Sequence, residues 1–148
     1  MNDHFPRGIR NHNPGNIRLS KIRWQGQKPQ QFDSDFIEFE SAVMGLRALM
    51  KTLLTYFRRH QLDTVQAIIN RWAPPHENAT DHYAGHVSKR LEVTRTTRLN
   101  LEDESTLMGL AKAIVMHENG YPNKKRPKFW YCETDYKKAC KMALSKGE

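Results

Sequence analysis

Beyond residue 40, apolar residues recur at spacings of three and four, a pattern that predicts amphipathic helices. Ser41 can cap the first of these helices, which we expect to run to about His60. Asp63 or Thr64 can cap the second helix, Val65–Trp72, and Pro74-Pro75 would end it. The later helices are expected from a Thr80 cap to Leu91, from Ser105 to Asn119, and at Asp135–Leu144.

The first forty residues have a different pattern, in which short extended runs alternate with Asn, Gly, Pro and Gln. Asn13-Pro14-Gly15-Asn16 is a strong turn signal. The runs Ile17–Leu19, Ile22–Trp24 and Phe36–Phe39 predict a small hairpin or three-stranded sheet around it. We therefore expect one mainly α (α+β) domain over residues 1–148, with a β and loop subregion at 1–40 and helices over 41–148.

The net charge of +8 predicts attraction to polyanions, such as nucleic acid, anionic lipid or the bacterial wall. The basic residues are spread along the chain rather than grouped, which disfavours nucleic acid as the partner. No stretch reaches membrane-spanning length, and the N-terminus lacks an apolar signal region. We expect a monomer made in the cytoplasm without a signal peptide, with no stable membrane insertion.

The cysteines and histidines do not form a recognisable disulfide, metal-binding or nucleophile pattern in the sequence. Cys132 and Cys140 lie too far apart on a predicted helix for a disulfide, so we expect free thiols. His82 and His86 are spaced four apart, but no Glu accompanies them in a zinc-protease pattern. We expect no metal and no cofactor, and neither a phosphate-binding loop nor a nucleophile elbow is present in the sequence.

Glu118 is the leading candidate for a catalytic group. It occupies the last turn of the apolar helix that begins near Ser105, directly before the helix stop Asn119-Gly120. The negative end of the helix dipole and an apolar environment would both favour its protonated form. A carboxyl group that keeps its proton is what a general acid needs to protonate a glycosidic oxygen. The alternative is a surface Glu at a fraying helix end.

Two further segments each allow two interpretations. Arg10, Asn13 and Asn16 lie in an Asn-rich loop that could bind sugar hydroxyls, or whose amides could satisfy their own backbone. Glu77 and Asn78 could be turn and cap residues together with Thr80, or Glu77 and Tyr83 could face Glu118 across a cleft.

Aromatic residues beside basic ones suit either sugars or bases. The aromatic faces of Trp24, Tyr121, Trp130 and Tyr131 can stack on pyranose rings or on nucleobases. The basic run Lys124–Lys128 fits a nucleic acid as well as a glycan, and it also fits a solvated loop.

The longest motifs occur in a recognisable order: Arg7-Gly-Ile-Arg-Asn-His-Asn-Pro-Gly-Asn-Ile-Arg18, Arg71-Trp-Ala-Pro-Pro-His-Glu-Asn-Ala-Thr-Asp-His-Tyr83 and His117-Glu-Asn-Gly120. They resemble a bacteriophage and prophage family labelled virion structural protein, which is associated with peptidoglycan-degrading endolysins. A second resemblance, of Asn13-Pro-Gly-Asn-Ile-Arg18 together with Trp24-Gln-Gly26, is to flagellar-type glucosaminidases. There the catalytic helix precedes this segment, which implies a circularly permuted lysozyme-like domain here.

The resemblance implies a peptidoglycan glycan hydrolase or lytic transglycosylase with Glu118 as the acid, and Glu77 is our second candidate carboxylate. Tyr83 would match the glucosaminidase tyrosine, and substrate contacts are expected from Arg10, Asn13, Asn16, Trp24, Asn78 and Thr80. The enzyme would act on the periplasmic wall after export or a breach of the membrane. The alternatives are a non-enzymatic virion or wall-binding module and, on charge alone, a nucleic-acid-binding protein. Tyr121–Tyr131 replaces the family's usual continuation, so the substrate rim is not implied.

Overall fold

The computed structural model describes residues 5–73 and 78–145, which form a mainly helical protein. The helices are α1 (Arg7–Arg10), α2 (Ala42–His60), α3 (Val65–Trp72), α4 (Asn78–Leu91), α5 (Glu104–Asn119) and α6 (Glu133–Leu144). The periodicity predicted α2 to α6 closely, whereas the single turn α1 had no such signal. None of these helices, within the ranges described, is both long and apolar enough to cross a membrane.

Side-chain caps fix where most helices begin. The side chain of Ser41 accepts from the Met44 amide at 3.3 Å and that of Thr64 from the Ala67 amide at 3.2 Å, as predicted. The start predicted at Ser105 is wrong by one residue, because Asp103 caps α5 through the Thr106 amide at 3.0 Å.

The predicted cap at Thr80 is also wrong. α4 already begins at Asn78, so Thr80 lies inside its first turn. Its hydroxyl is buried and donates to the carbonyl oxygen of Ala73 at 3.1 Å. Thr80 therefore ties the start of α4 to the end of α3 instead of closing a helix end.

The core forms around α2, which packs against α3, α5 and α6, while α4 packs against α3 and α5. Leu46, Leu49 and Leu53 of α2 are fully buried, as are Ile114 of α5 and Tyr136 of α6. Each fully buried aliphatic side chain contributes about 1.5–3 kcal/mol relative to exposure. Cys132 is exposed and Cys140 is buried, and both are free thiols as predicted.

Among residues 5–40, the structure does not show the predicted hairpin or three-stranded sheet. Among the described residues of this region, pairing is limited to isolated bridges between Arg18 and Phe36 and between Gln27 and Phe39. A few backbone hydrogen bonds join these segments, among them Leu19 to Asp35 at 2.9 Å and Ile37 to Ile17 at 3.0 Å, and side-chain amides make further contacts. Asn13 bonds the backbone of residues 17 and 37, and Gln31 bonds both backbone groups of Glu38 at 2.8–2.9 Å. Isolated bridges and side-chain amides therefore join these described segments, without an extended ladder.

This N-terminal segment lies directly on α2 at Gly45. A Cβ atom at position 45 would stand 1.8 Å from the carbonyl oxygen of His12 and 3.1 Å from the Pro14 ring. Only a residue without a side chain permits this approach, since real Cβ contacts are far longer. The Asn13-Pro14-Gly15-Asn16 turn is thereby held against the helix.

We predict that Gly45→Ala lowers the free energy of unfolding by about 1–3 kcal/mol through overpacking, measured by urea denaturation. This loss should outweigh the gain of about 1 kcal/mol that alanine brings to a helix interior. Gly109→Ala in α5 is the control, because its nearest new neighbour is a movable Leu91 methyl group at 3.0 Å. Equal free energies of unfolding for the two variants would contradict the close approach of the His12 carbonyl group to Gly45.

Candidate functional site

The carboxyl group of Glu118 is held by two elements from distant parts of the chain. The hydroxyl of Tyr83 in α4 donates to Oε2 at 2.9 Å. The side-chain amide of Asn16 donates to Oε1 at 3.0 Å. Glu118 is half-buried in the last turn of α5, so both oxygens are fixed while the group still lines an open groove.

Tyr83 is buried and keeps its phenolic proton in this arrangement. Its side chain is only 5% exposed. Burial, followed by the negative charge of Glu118, raises the pKa of Tyr83 well above its usual value. The phenol therefore keeps its proton across the physiological range and is available as a donor to Oε2 of Glu118.

Asn16 reaches Glu118 because the backbone of its turn adopts an unusual conformation. Its φ angle is 51°, in the left-handed region that Asn tolerates better than most residues. Asn119 secures the same turn from α5, donating to the carbonyl oxygens of Pro14 at 2.8 Å and Val115 at 2.9 Å. The residue beside the candidate acid thus fixes the loop that holds it.

Gly8 completes the packing beneath this contact. A Cβ atom there would lie 2.6 Å from Oδ1 of Asn119 and 2.8 Å from Oδ1 of Asn16. Both amide oxygens are buried and have no hydrogen-bond partner among the described residues. Glycine is therefore required at this position of the Arg7-Gly-Ile-Arg motif, because the two asparagine side chains leave no room for a Cβ atom.

The groove that Glu118 lines has a volume of about 580 Å³, within the range typical of ligand sites. Aromatic side chains contribute much of its wall, and Arg18 and Thr52 add polar groups. The aromatic lining consists of Trp24, Phe36, Tyr56 and Trp72. Among the described residues, Glu118 is the only carboxylate that lines it. The groove thus combines flat apolar faces with one oriented carboxyl group.

The structure brings together only some of the predicted site residues. The groove is lined by three of them, Asn16, Trp24 and Glu118. Tyr83 is not among the lining residues, but its hydroxyl donates to Glu118. Arg10 is exposed on α1 and is not part of the groove lining. Glu77 lies outside the described residues, as does the side chain of Asn78.

Asn13 and Thr80 are structural in this fold. Asn13 is fully buried, and its amide bonds the carbonyl oxygens of Ile17 and Ile37 at 2.9 Å each. Its own oxygen accepts from the Ile17 amide at 3.0 Å. The interpretation in which the turn satisfies its own backbone is therefore correct for Asn13, and the sugar contact predicted for it is wrong.

Several residues of the site had no distinct signal in the sequence. Tyr56 and Trp72 lie at helix positions whose spacing is equally typical of packing residues. Trp72 contacts the core, and it also lines the groove. His117 looked like one more position on the α5 face. Its ring stacks on Tyr83, with the ring centroids 3.6 Å apart and the planes at 24°.

His117 also contacts a second histidine. Nδ1 of His86 lies 3.2 Å from Nδ1 of His117, so one ring must donate and the other accept. Burial, followed by the positive charges of His86, His82 and Arg90, lowers the pKa of His117. In the described part of the chain, no three His, Cys, Asp or Glu side chains are placed to hold a metal ion.

Comparison with known proteins places the chain among bacteriophage proteins. No protein-family model matches it. Protein P5 of Pseudoalteromonas phage PM2 is 35% identical over 117 residues, which cover 77% of this chain and 71% of the phage protein. The chain belongs to the family of Protein P5. The phage origin implied by the sequence motifs is thereby confirmed, and the relative's name states no activity.

We predict that Asn13→Ala lowers the free energy of unfolding more than Asn16→Gly does, because Asn13 supports the fold and Asn16 orients Glu118. Asn13→Ala leaves buried backbone groups unpaired, at a cost of about 1–3 kcal/mol for each group. Asn16→Gly keeps the positive φ accessible and removes only the amide, so its unfolding free energy should change by less than about 1 kcal/mol. Urea denaturation measures both, and equal losses would contradict the division of roles.

We predict that stability falls as the pH drops from about 7.5 to 5, partly because of His117. Its pKa is lowered in the folded state, so the unfolded chain takes up the proton first. The stabilisation is present above the ordinary histidine pKa and is lost as the pH falls through the folded value. The unfolding free energy of His117→Gln should depend less steeply on pH. The same slope in both proteins would contradict the prediction.

Proposed function

We propose that this protein cleaves the glycan strands of peptidoglycan, with Glu118 as the general acid. The observation that carries the proposal is the carboxyl group of Glu118, oriented by Tyr83 and Asn16 at the edge of an aromatic groove. Fixed orientation toward one substrate position is what general acid catalysis requires. The aromatic faces of Trp24 and Trp72 suit the apolar faces of sugar rings.

The proposed step transfers one proton. Protonated Glu118 gives its proton to the glycosidic oxygen, the bond from the anomeric carbon to that oxygen breaks, and positive charge develops on the sugar ring. The resulting carboxylate then takes a proton from the attacking nucleophile. A water molecule as nucleophile leaves a reducing end, whereas a hydroxyl of the same sugar leaves an anhydro end.

The second catalytic group is either Glu77 or the substrate itself. Glu77 precedes α4, the helix that carries Tyr83, which keeps it as the candidate to stabilise the positive ring or activate water. Since Glu118 is the only carboxylate lining the described groove, assistance by the substrate's N-acetyl group is the other route. The end groups of the products distinguish hydrolysis from the anhydro route.

Charge and family membership both support a substrate in the bacterial wall. The net charge of +8 favours adsorption to an anionic polymer, and such adsorption should weaken with salt. A bacteriophage must pass the peptidoglycan layer on entry or exit, and the relative is a phage protein. The proposal includes a lysozyme-like fold, circularly permuted relative to glucosaminidases, that acts on the wall after export or membrane breach.

A non-enzymatic wall-binding or virion protein is the second candidate. It is favoured by the single carboxylate in the described groove lining, since an aromatic groove can bind a glycan without turnover. It predicts that the protein sediments with purified peptidoglycan and releases no fragments.

The decisive experiment is digestion of purified peptidoglycan, with soluble fragments identified by mass spectrometry. Wild-type protein should release muropeptides, and Glu118→Gln should slow the release by about 100-fold or more. Glu40→Gln is the control, because Glu40 is an exposed carboxylate outside the groove lining. Circular dichroism checks that each variant is folded.

Two outcomes would count against the enzyme. Near wild-type release by folded Glu118→Gln would remove Glu118 from the mechanism. Sedimentation with peptidoglycan but no fragments from wild-type protein would favour the wall-binding candidate.

A further inference from the structure

A second cavity lies between α4 and the end of α5. Its volume is about 510 Å³. The residues that line it include His86, Lys89, Arg90, His117 and Tyr121. It is therefore large enough for a polar group the size of a short peptide segment.

The charge of this cavity is positive and uncompensated. The described residues that line it contribute an ammonium group, a guanidinium group and two imidazoles, but no carboxylate. Within residues 5–73 and 78–145, no carboxylate forms an ion pair with Lys89 or Arg90. The lowered pKa of His117, caused partly by Arg90 and the neighbouring histidines, reflects the same positive field.

Tyr121 holds the guanidinium of Arg90 at this cavity. The guanidinium lies over the ring of Tyr121, 5.0 Å from the centroid, and donates one hydrogen bond to the Tyr121 hydroxyl. Guanidinium has five donors in a rigid plane, and the described residues accept no other hydrogen bond from this one. The remaining donors match the two oxygens of a carboxylate.

One aromatic layer joins this cavity to the candidate catalytic groove. The ring of Tyr83 stacks on His117, which lines the cavity, while its hydroxyl binds Glu118, which lines the groove. A substrate bound in the groove could therefore place a side branch in the cavity. In peptidoglycan, the branch beside the glycan strand is a peptide stem that carries carboxylates.

We propose that this cavity binds a carboxylate of the peptidoglycan peptide stem through Arg90 and Lys89. The identity of the substrate rests on the proposed function, whereas the anion preference rests on the cavity itself. The site would make the protein select peptide-substituted glycan over bare glycan.

The test titrates the full-length protein, labelled with ¹⁵N, with a synthetic peptidoglycan stem tripeptide. Amide signals of residues 86–90 and 116–121 should shift. Arg90→Gln should raise the dissociation constant about tenfold, which is the loss of affinity expected for one charge-assisted hydrogen bond. Lys89→Gln should weaken binding in the same direction. Lys138→Gln is the charge-matched control, because Lys138 is exposed on α6 and does not line the cavity.

Two further probes identify the anion. The same tripeptide with its carboxylates amidated should not bind, and inorganic phosphate should bind more weakly than the free tripeptide. Equal binding of the amidated peptide, tighter binding of phosphate, or unchanged binding by folded Arg90→Gln would each overturn the proposal. Because the tripeptide contains no glycosidic bond, these results do not depend on cleavage. Tripeptide binding without muropeptide release would refute the proposed cleavage activity and leave the proposed carboxylate site standing.

Discussion

The close contact between Gly45 and the carbonyl group of His12 is the constraint on which the site depends. It lets the Asn-rich turn lie directly on α2, where any larger residue would push it away. Once the turn is held there, Asn119 can bond the Pro14 carbonyl and Asn16 can reach Glu118. A single missing side chain in the central helix thereby sets the position of a carboxyl group 73 residues further along the chain.

Buried polar groups give the site its rigidity and also make it costly to alter. Asn13 bonds the backbone of two segments, since its amide donates to the carbonyl oxygens of Ile17 and Ile37 and accepts from the Ile17 amide. Tyr83 serves two surfaces at once, since its hydroxyl fixes Glu118 and its ring supports His117. Because unpaired polar groups in such positions cost about 1–3 kcal/mol each, this network favours one arrangement of the loop, α4 and α5. Preorganisation of this kind suits catalysis better than loose binding.

The sequence allowed prediction of what depends on local spacing and little of what depends on long-range contacts. Apolar periodicity located α2 to α6, and the placement of Glu118 in the last turn of a buried helix is confirmed. The N-terminal sheet was predicted from extended runs, but the described residues form only isolated bridges there, supplemented by side-chain amides. The spacing of Trp72 could not show that it lines a groove, because packing and groove-lining aromatics share the same helical positions. The stacking of His117 on Tyr83 joins residues on two helices, so no local pattern could indicate it.

The most direct test of the account is a double-mutant cycle on muropeptide release with Asn16→Gly and Tyr83→Phe. Each variant removes one donor to Glu118 and keeps the rest of the site, so each should slow release by about tenfold or more. Because both donors act on one carboxyl group, the double variant should lose less than the product of the two single losses. Release at the wild-type rate by all three folded variants would contradict the claim that positioning of Glu118 controls the reaction.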